Sequence, residues 1–158
     1  MKKMLIMMVS FVLFILLSSS SSLVADDARV GFQAPNFAVS NKTATAQLQD
    51  YRGKYVVVTF WSSIDPESRM ANMELDRACR GNARLAHIAV NYDSSRRVYG
   101  EIVKLDNLDS NSQFYGNDAQ GKALVATWHQ DEGYSSFLID PQGKIVAKNP
   151  NVEMLKRI

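Results

Sequence analysis

The run that decides the fold is VVVTFWSSIDPESRMANMEL, Val56 to Leu75. It opens as an unbroken apolar string ending in Phe60-Trp61, crosses the short polar turn Ser62-Ser63-Ile64, and continues from Asp65-Pro66 in residues that favour helix. A β-branched run without polar alternation belongs to a strand covered on both faces, as in the centre of a parallel sheet. Asp65 followed by Pro66 is a helix start. The carboxylate can accept the free N–H groups of Glu67 or Ser68, and proline at the first helical position has no N–H to lose. Glu67 adds a negative charge where the helix dipole favours one. The pattern predicts a strand over Tyr55 to Trp61 and a helix from Asp65 to about Arg80, with Ala71, Leu75, Ala78 and Cys79 as its buried stripe.

Reading outward, LAHIAVNYD (Leu85 to Asp93) predicts a second central strand. Ser94 is placed to cap a helix whose apolar face is Val98, Ile102 and Leu105. Asn107 to Gly121, rich in Asn, Asp, Ser and Gly, reads as loop around a short Gln113-Phe114-Tyr115 piece, and a helix from about Lys122 to Trp128 follows. YSSFLID and KIVAK flank Asp140-Pro141-Gln142-Gly143, where proline and glycine sit as a tight turn favours, so this is a hairpin. VEMLKRI closes the chain as a short amphipathic helix. Upstream, VGFQAPNF is an irregular lead-in, and Ser40 to Ala46 suits a turn with a short edge strand. The order is that of an α/β sandwich with a mixed central sheet.

The chain has 158 residues, enough for one domain with a proper core. Lys2 and Lys3 precede an apolar run from Met4 to Leu17 broken only by Ser10, then serines 18–22 and LVADD. That is the layout of a cleaved secretory signal, with Ala25 as the last residue before the cut or the cut falling within the serine run. The run falls short of the roughly 20 residues that span a bilayer, so no permanent membrane span is expected after cleavage. The expectation is an exported protein, periplasmic in a Gram-negative cell, whose domain covers residues 26–158. Without Lys2 and Lys3 the basic and acidic residues balance at 16 each. No basic run interleaved with aromatics remains, which argues against a nucleic-acid partner. Cys79 is the only cysteine, so no internal disulfide can form.

Several strings resemble the thioredoxin-like superfamily, in its exported redoxin or TlpA-like branch related to the AhpC/TSA proteins. VGFQAPNF resembles the opening G-x-x-A-P-x-F at Gly31, Ala34, Pro35 and Phe37. LQDYRGKYVVVTFWSS resembles L-x-x-x-x-G-K-x-V-x-x-x-F-W-A-S, and SSFLIDPQGKIVAK resembles T-T-F-L-I-D-x-x-G-K-I-V. The likeness runs from Gly31 to Lys148 and implies a thioredoxin-like three-layer α/β/α sandwich with a mixed central β-sheet. It also implies a C-x-x-C-R motif at the helix start. The same register here reads Ile64-Asp65-Pro66-Glu67-Ser68-Arg69, so Asp65 and Ser68 fall on the cysteine positions. The proline with a cis bond that such proteins carry before F-L-I-D is replaced by Tyr134. A cis bond before a non-proline costs about 2.5–4 kcal/mol, so a trans Gly133–Tyr134 bond is expected.

The residues of this turn exclude thiol chemistry. A helix N-terminus stabilises a thiolate, but a carboxylate there is ionised without help and cannot exchange disulfides, and a serine hydroxyl has no comparable redox chemistry. Cys79 lies about three turns into the helix among apolar neighbours, the setting of a structural thiol. The rival reading is an enzyme, an oxidoreductase or peroxide-reducing antioxidant protein that uses Cys79. A hydrolytic Asp65–Ser68 pair would need a histidine base, and neither His87 nor His129 is placed for it. His87 reads as an interior histidine of its strand. His129, Asp131 and Glu132 could join Asp65 and Glu67 in a patch able to hold a divalent cation, although a solvated charged rim explains them better. Copper-chaperone relatives need two cysteines and a histidine, and this chain has a single cysteine. No cofactor is implied. The expectation is a non-catalytic module that binds a protein or peptide partner. Its surface would comprise Trp61, Ser62, Ser63, Ile64, Asp65, Pro66, Glu67, Ser68 and Tyr134, with exposed Ile64 and Tyr134 beside Trp61 as the apolar centre.

Overall fold

The computed structural model describes residues 28–158, and the expected signal over residues 1–25 lies outside them. Strand β3 (Tyr55–Trp61) forms the middle of a five-stranded sheet with β4 (Leu85–Asn91), β5 (Gln113–Tyr115), β6 (Ser136–Ile139) and β7 (Ile145–Lys148). The order across the sheet is β5-β4-β3-β6-β7. On one side β3 runs parallel to β4 over its whole length, from Tyr55 opposite Leu85 to Trp61 opposite Asn91, and β4 runs parallel to β5. On the other side it pairs antiparallel with β6, Val56 opposite Ile139, and β6 pairs antiparallel with β7. The sheet is therefore mixed, with its parallel half carrying the crossovers.

Alternation along β3 sends Val56, Val58 and Phe60 to one face and Val57, Thr59 and Trp61 to the other. The first face packs on α3 (Ala119–Thr127) through Leu124 and on Trp128, in one core with Phe137 and Ile139. The second face is covered by α1 (Pro66–Cys79), α2 (Arg96–Leu105) and the short α4 (Val152–Leu155). Val57 meets Leu75, Cys79, Leu138 and Leu155 there, and Trp61 shares a cluster with Ala89 and Val103. This is the three-layer α/β/α arrangement expected from the sequence. Each large apolar side chain so buried contributes about 1.5–3 kcal/mol, which holds the fold without a disulfide. Among the described residues no helix is long and apolar enough to cross a membrane.

Four local expectations need correction. The turn expected within Ser40 to Ala46 forms, but its strand is not an edge of the main sheet: β1 (Ala38–Ser40) and β2 (Thr45–Gln47) flank the turn as a separate two-stranded hairpin. Its turn closes because Asn41 Oδ1 accepts the Thr43 and Ala44 N–H groups at 2.8 and 2.7 Å. Helix α2 is capped one residue later than predicted, by Ser95, whose Oγ accepts Val98 N–H at 3.4 Å. Its inward side is Tyr99, Ile102 and Val103, while Leu105 is 74% exposed and Val98 also faces solvent. Helix α3 starts three residues early because Asp118 caps it, accepting Gly121 N–H at 2.8 Å. The Asp140–Gly143 turn forms as expected, with Gly143 at φ 83°, a left-handed value that favours glycine.

Candidate functional site

The first turn of α1 follows directly from its sequence. Asp65 Oδ1 accepts the N–H groups of Glu67 at 3.1 Å and Ser68 at 3.4 Å, and Pro66 occupies the first helical position. Ser68 turns inward. Its hydroxyl donates to the Asp65 carbonyl at 3.3 Å and accepts Ser62 N–H at 3.2 Å, so it closes the turn between β3 and α1. Among the described contacts, the Ser68 hydroxyl and the Asp65 carboxylate bond backbone groups of the turn and no imidazole. The following residue, Arg69, makes a two-pronged ion pair with Asp106, Nε to Oδ2 at 2.7 Å and the terminal nitrogen to Oδ1 at 2.6 Å, tying α1 to the end of α2.

The turn rests on a residue that the sequence reading passed over. Asp93, 4% exposed just beyond β4, accepts both the Ser62 hydroxyl and Ser63 N–H on Oδ1, each at 2.7 Å. Its Oδ2 is buried without a hydrogen bond. Asn117 donates to the Asp93 carbonyl at 3.2 Å and Asn91 Oδ1 accepts Asp93 N–H at 2.9 Å, which fixes the carboxylate in place. A charge-assisted bond of this kind is stronger than a neutral one, so Asp93 pins the loop ahead of the helix. Nothing in the string VNYDSS distinguishes such a carboxylate from a loop residue.

Only part of the expected surface is surface. Trp61 and Ser62 are fully buried, against expectation, because the odd-numbered side of β3 is covered by α1 and α2 and because Ser62 turns in toward Asp93. Ser68 is buried for the reason given above. Ser63 and Asp65 are half-buried, Pro66 and Glu67 are exposed, and Ile64 stands out at 89% exposure. Tyr134 is half-buried rather than free, its ring stacked on Tyr92 with centroids 6.0 Å apart. Burial lifts its hydroxyl above the ordinary value. The nearby Ser62 side chain opposes that shift, and the charges of Asp93 and Asp65 add to it. The Gly133–Tyr134 bond is trans. Met70, one turn along α1, is a further exposed apolar side chain at 61% that the sequence reading did not single out.

Beside this tip a groove of about 270 Å³ runs between α1, the start of β6 and the segment entering α4. Phe60 and Tyr134 contribute its apolar floor, Glu67 and Glu74 its charged rim, and no cation lines it.

Cys79, His87 and Asp76 line a separate cleft of about 480 Å³ at the far end of α1. Cys79 is buried in the cluster with Leu75 and Leu85, and burial together with the charge of Asp76 pushes its thiol up to about 12. Among the described residues no three His, Cys, Asp or Glu side chains gather closely enough to hold a metal ion. His87 is interior, as expected, with Nε2 3.1 Å from Thr59 Oγ1. Its Nδ1 faces Asp76 Oδ1 at 3.6 Å, too long for a hydrogen bond. Carboxylate, imidazole and hydroxyl here follow the order of a hydrolytic relay, but Thr59 is fully buried and no substrate atom can reach it.

No protein-family model and no curated protein matches the chain. Solved structures do. A thioredoxin-like protein from Parabacteroides distasonis is 27% identical, with a TM-score of 0.65 over 75% of this chain and 90% of its own. The thioredoxin domain of a thiol-disulfide oxidoreductase from Bacteroides vulgatus reaches a TM-score of 0.70 at 23% identity, over 82% of this chain and 94% of its own. A thiol-disulfide oxidoreductase from Bacteroides fragilis gives 0.64 at 24% identity, over 79% and 95%. The fold is thioredoxin-like, and this chain holds it with one cysteine, too few for a redox pair.

Proposed function

We propose that this chain is an exported, redox-silent relative of the TlpA-like oxidoreductases that works by binding a protein or peptide segment. In this reading Asp65 and Ser68 stand at the two cysteine positions, and the domain occupies residues 26–158. The observation that carries it is the use made of those two side chains. One caps α1 and the other closes the turn, so both are committed to structure and neither can exchange a disulfide. The rival enzyme reading needs an accessible, acidic thiol, whereas Cys79 is buried and its thiol is pushed up to about 12.

Ile64, Pro66 and Met70 supply exposed apolar surface at the tip, and the adjoining groove offers Glu67 and Glu74 without a compensating cation. A partner segment with a Lys or Arg next to a small apolar residue fits that chemistry. The test is capture of envelope proteins on immobilised residues 26–158. Replacing exposed Ile64 and Glu67 (Ile64→Ser with Glu67→Gln) removes the most exposed apolar side chain of the tip and one rim charge without touching the core. Loss of the captured partner is expected, and retention of every partner by that variant would overturn the proposal.

A further inference from the structure

Away from the α1 turn, a second and larger cleft of about 570 Å³ opens between α2, the outer strand β5 and the turn joining β1 to β2. Its lining carries four cations, Lys42, Arg96, Arg97 and Lys104, and no carboxylate. The wall behind them is aromatic: Tyr99 and Tyr115 lie with ring centroids 5.6 Å apart, and Val103 is buried alongside. None of these residues belongs to the acidic groove beside α1.

The arrangement is built rather than incidental to a loose loop. Asn41 Nδ2 donates to the carbonyls of Ser110 and Gln113, each at 3.0 Å, which docks the β1–β2 turn against β5 and sets Lys42 at the cleft. On the other side the Arg96 guanidinium carbon lies 4.6 Å from the Tyr115 ring centroid, a cation–π contact. Lys104 pairs with Glu101 at 3.3 Å, both largely exposed, a contact that contributes little. Lys42 and Arg97 have no ion pair among the described residues.

Like charges gathered on one side of a cleft repel each other, and an apolar wall strengthens their joint attraction for an anion. The volume suits a small molecule, and an apolar wall with convergent polar groups that fix orientation is the usual lining of such a site. We infer that this cleft binds a small anion carried on a flat apolar body, such as an aromatic sulfonate, carboxylate or phosphate ester. The cations take the charged group, and half-buried Tyr99 takes the ring, with Tyr115 buried behind Arg96. The inference does not depend on the binding role proposed for the α1 turn.

The probe is 8-anilinonaphthalene-1-sulfonate, titrated into residues 26–158 and followed by fluorescence and by amide chemical shifts. Saturable binding is expected, with shifts concentrated in α2, β5 and the β1–β2 turn. Removing the two unpaired cations (Lys42→Ala with Arg97→Ala) should weaken it about tenfold or more. Both side chains are exposed, and unchanged circular dichroism verifies the fold. The neutral N-phenyl-1-naphthylamine should bind more weakly and be indifferent to that variant. Inorganic phosphate, lacking the apolar body, should need about 100-fold higher concentration to compete. Absent binding, shifts that map to the α1 groove, equal affinity for the neutral probe, or an unaffected double variant would each overturn the inference.

Discussion

Asp76 offers the sharpest quantitative test of how the α1 scaffold is held. It is a residue of α1 itself, almost fully buried on the side facing the sheet, in the helix that presents the candidate site. Burial alone would raise its carboxyl. His87, Arg80 (Nη2 to Oδ2 at 2.5 Å) and the Asp109 N–H outweigh that and hold it at about 2 against an ordinary 3.8. A native value below the unfolded one corresponds to about 2 kcal/mol of stability at neutral pH. The contribution is complete above the unfolded value and is lost as pH falls from about 4 toward 2. Asp76→Asn keeps the shape and removes the charge. It should therefore cost about 2 kcal/mol at pH 7, or about 8 °C in Tm for a domain of this size. The gap between wild type and variant should close near pH 2. Thermal unfolding followed by circular dichroism across pH 2–7 measures it. Equal stability at pH 7, or a cost that does not change with pH, would refute the reasoning.

Two other outcomes follow from the same geometry. Asp65→Ala removes the acceptor for Glu67 and Ser68 N–H and should cost about 1 kcal/mol, lowering Tm by about 4 °C, whereas Asp65→Asn should cost less. Cys79 should resist a thiol reagent at pH 8 in the native protein and react on addition of denaturant, since both its burial and its raised thiol disfavour the thiolate. Rapid labelling without denaturant would contradict its place in the core.

The fold was legible where periodicity and capping agree. The apolar string into Asp65-Pro66 places β3 and α1 within a residue of their observed bounds, and the cap forms as its residue types require. The apolar side of α1 was half legible. Leu75 and Cys79 are buried, but so are Asn72 and Asp76, because the helix also crosses the part of β4 and β5 that presents His87 and Gln113. Polar side chains that bond across a helix–sheet contact, as Asn72 and Gln113 do, leave no hydrophobic signal. The error in α2 has a related origin. Val98 and Leu105 share helical spacing with Ile102, yet the neighbouring stripe through Tyr99 and Val103 meets Trp61.

At the candidate site, sequence identifies what chemistry is missing and says less about what is exposed. Trp61 looked available because it ends a strand beside a turn, and it is buried because α1 and α2 both lie over that face. Asp93 was invisible because its role depends on a contact between the ends of two adjacent strands. The basic cleft brings together Lys42 and the start of α2 from positions more than 50 residues apart, so no local charge run announces it.

Insulin reduction in the presence of dithiothreitol tests the central claim most directly. Wild type is run beside a variant in which both turn residues are replaced by cysteine (Asp65→Cys with Ser68→Cys). The account predicts background activity for wild type and turnover for the variant, since the helix N-terminus that would stabilise a thiolate is intact. Turnover by the wild-type protein that disappears on Cys79→Ala would contradict it, and would make the lone cysteine a working nucleophile.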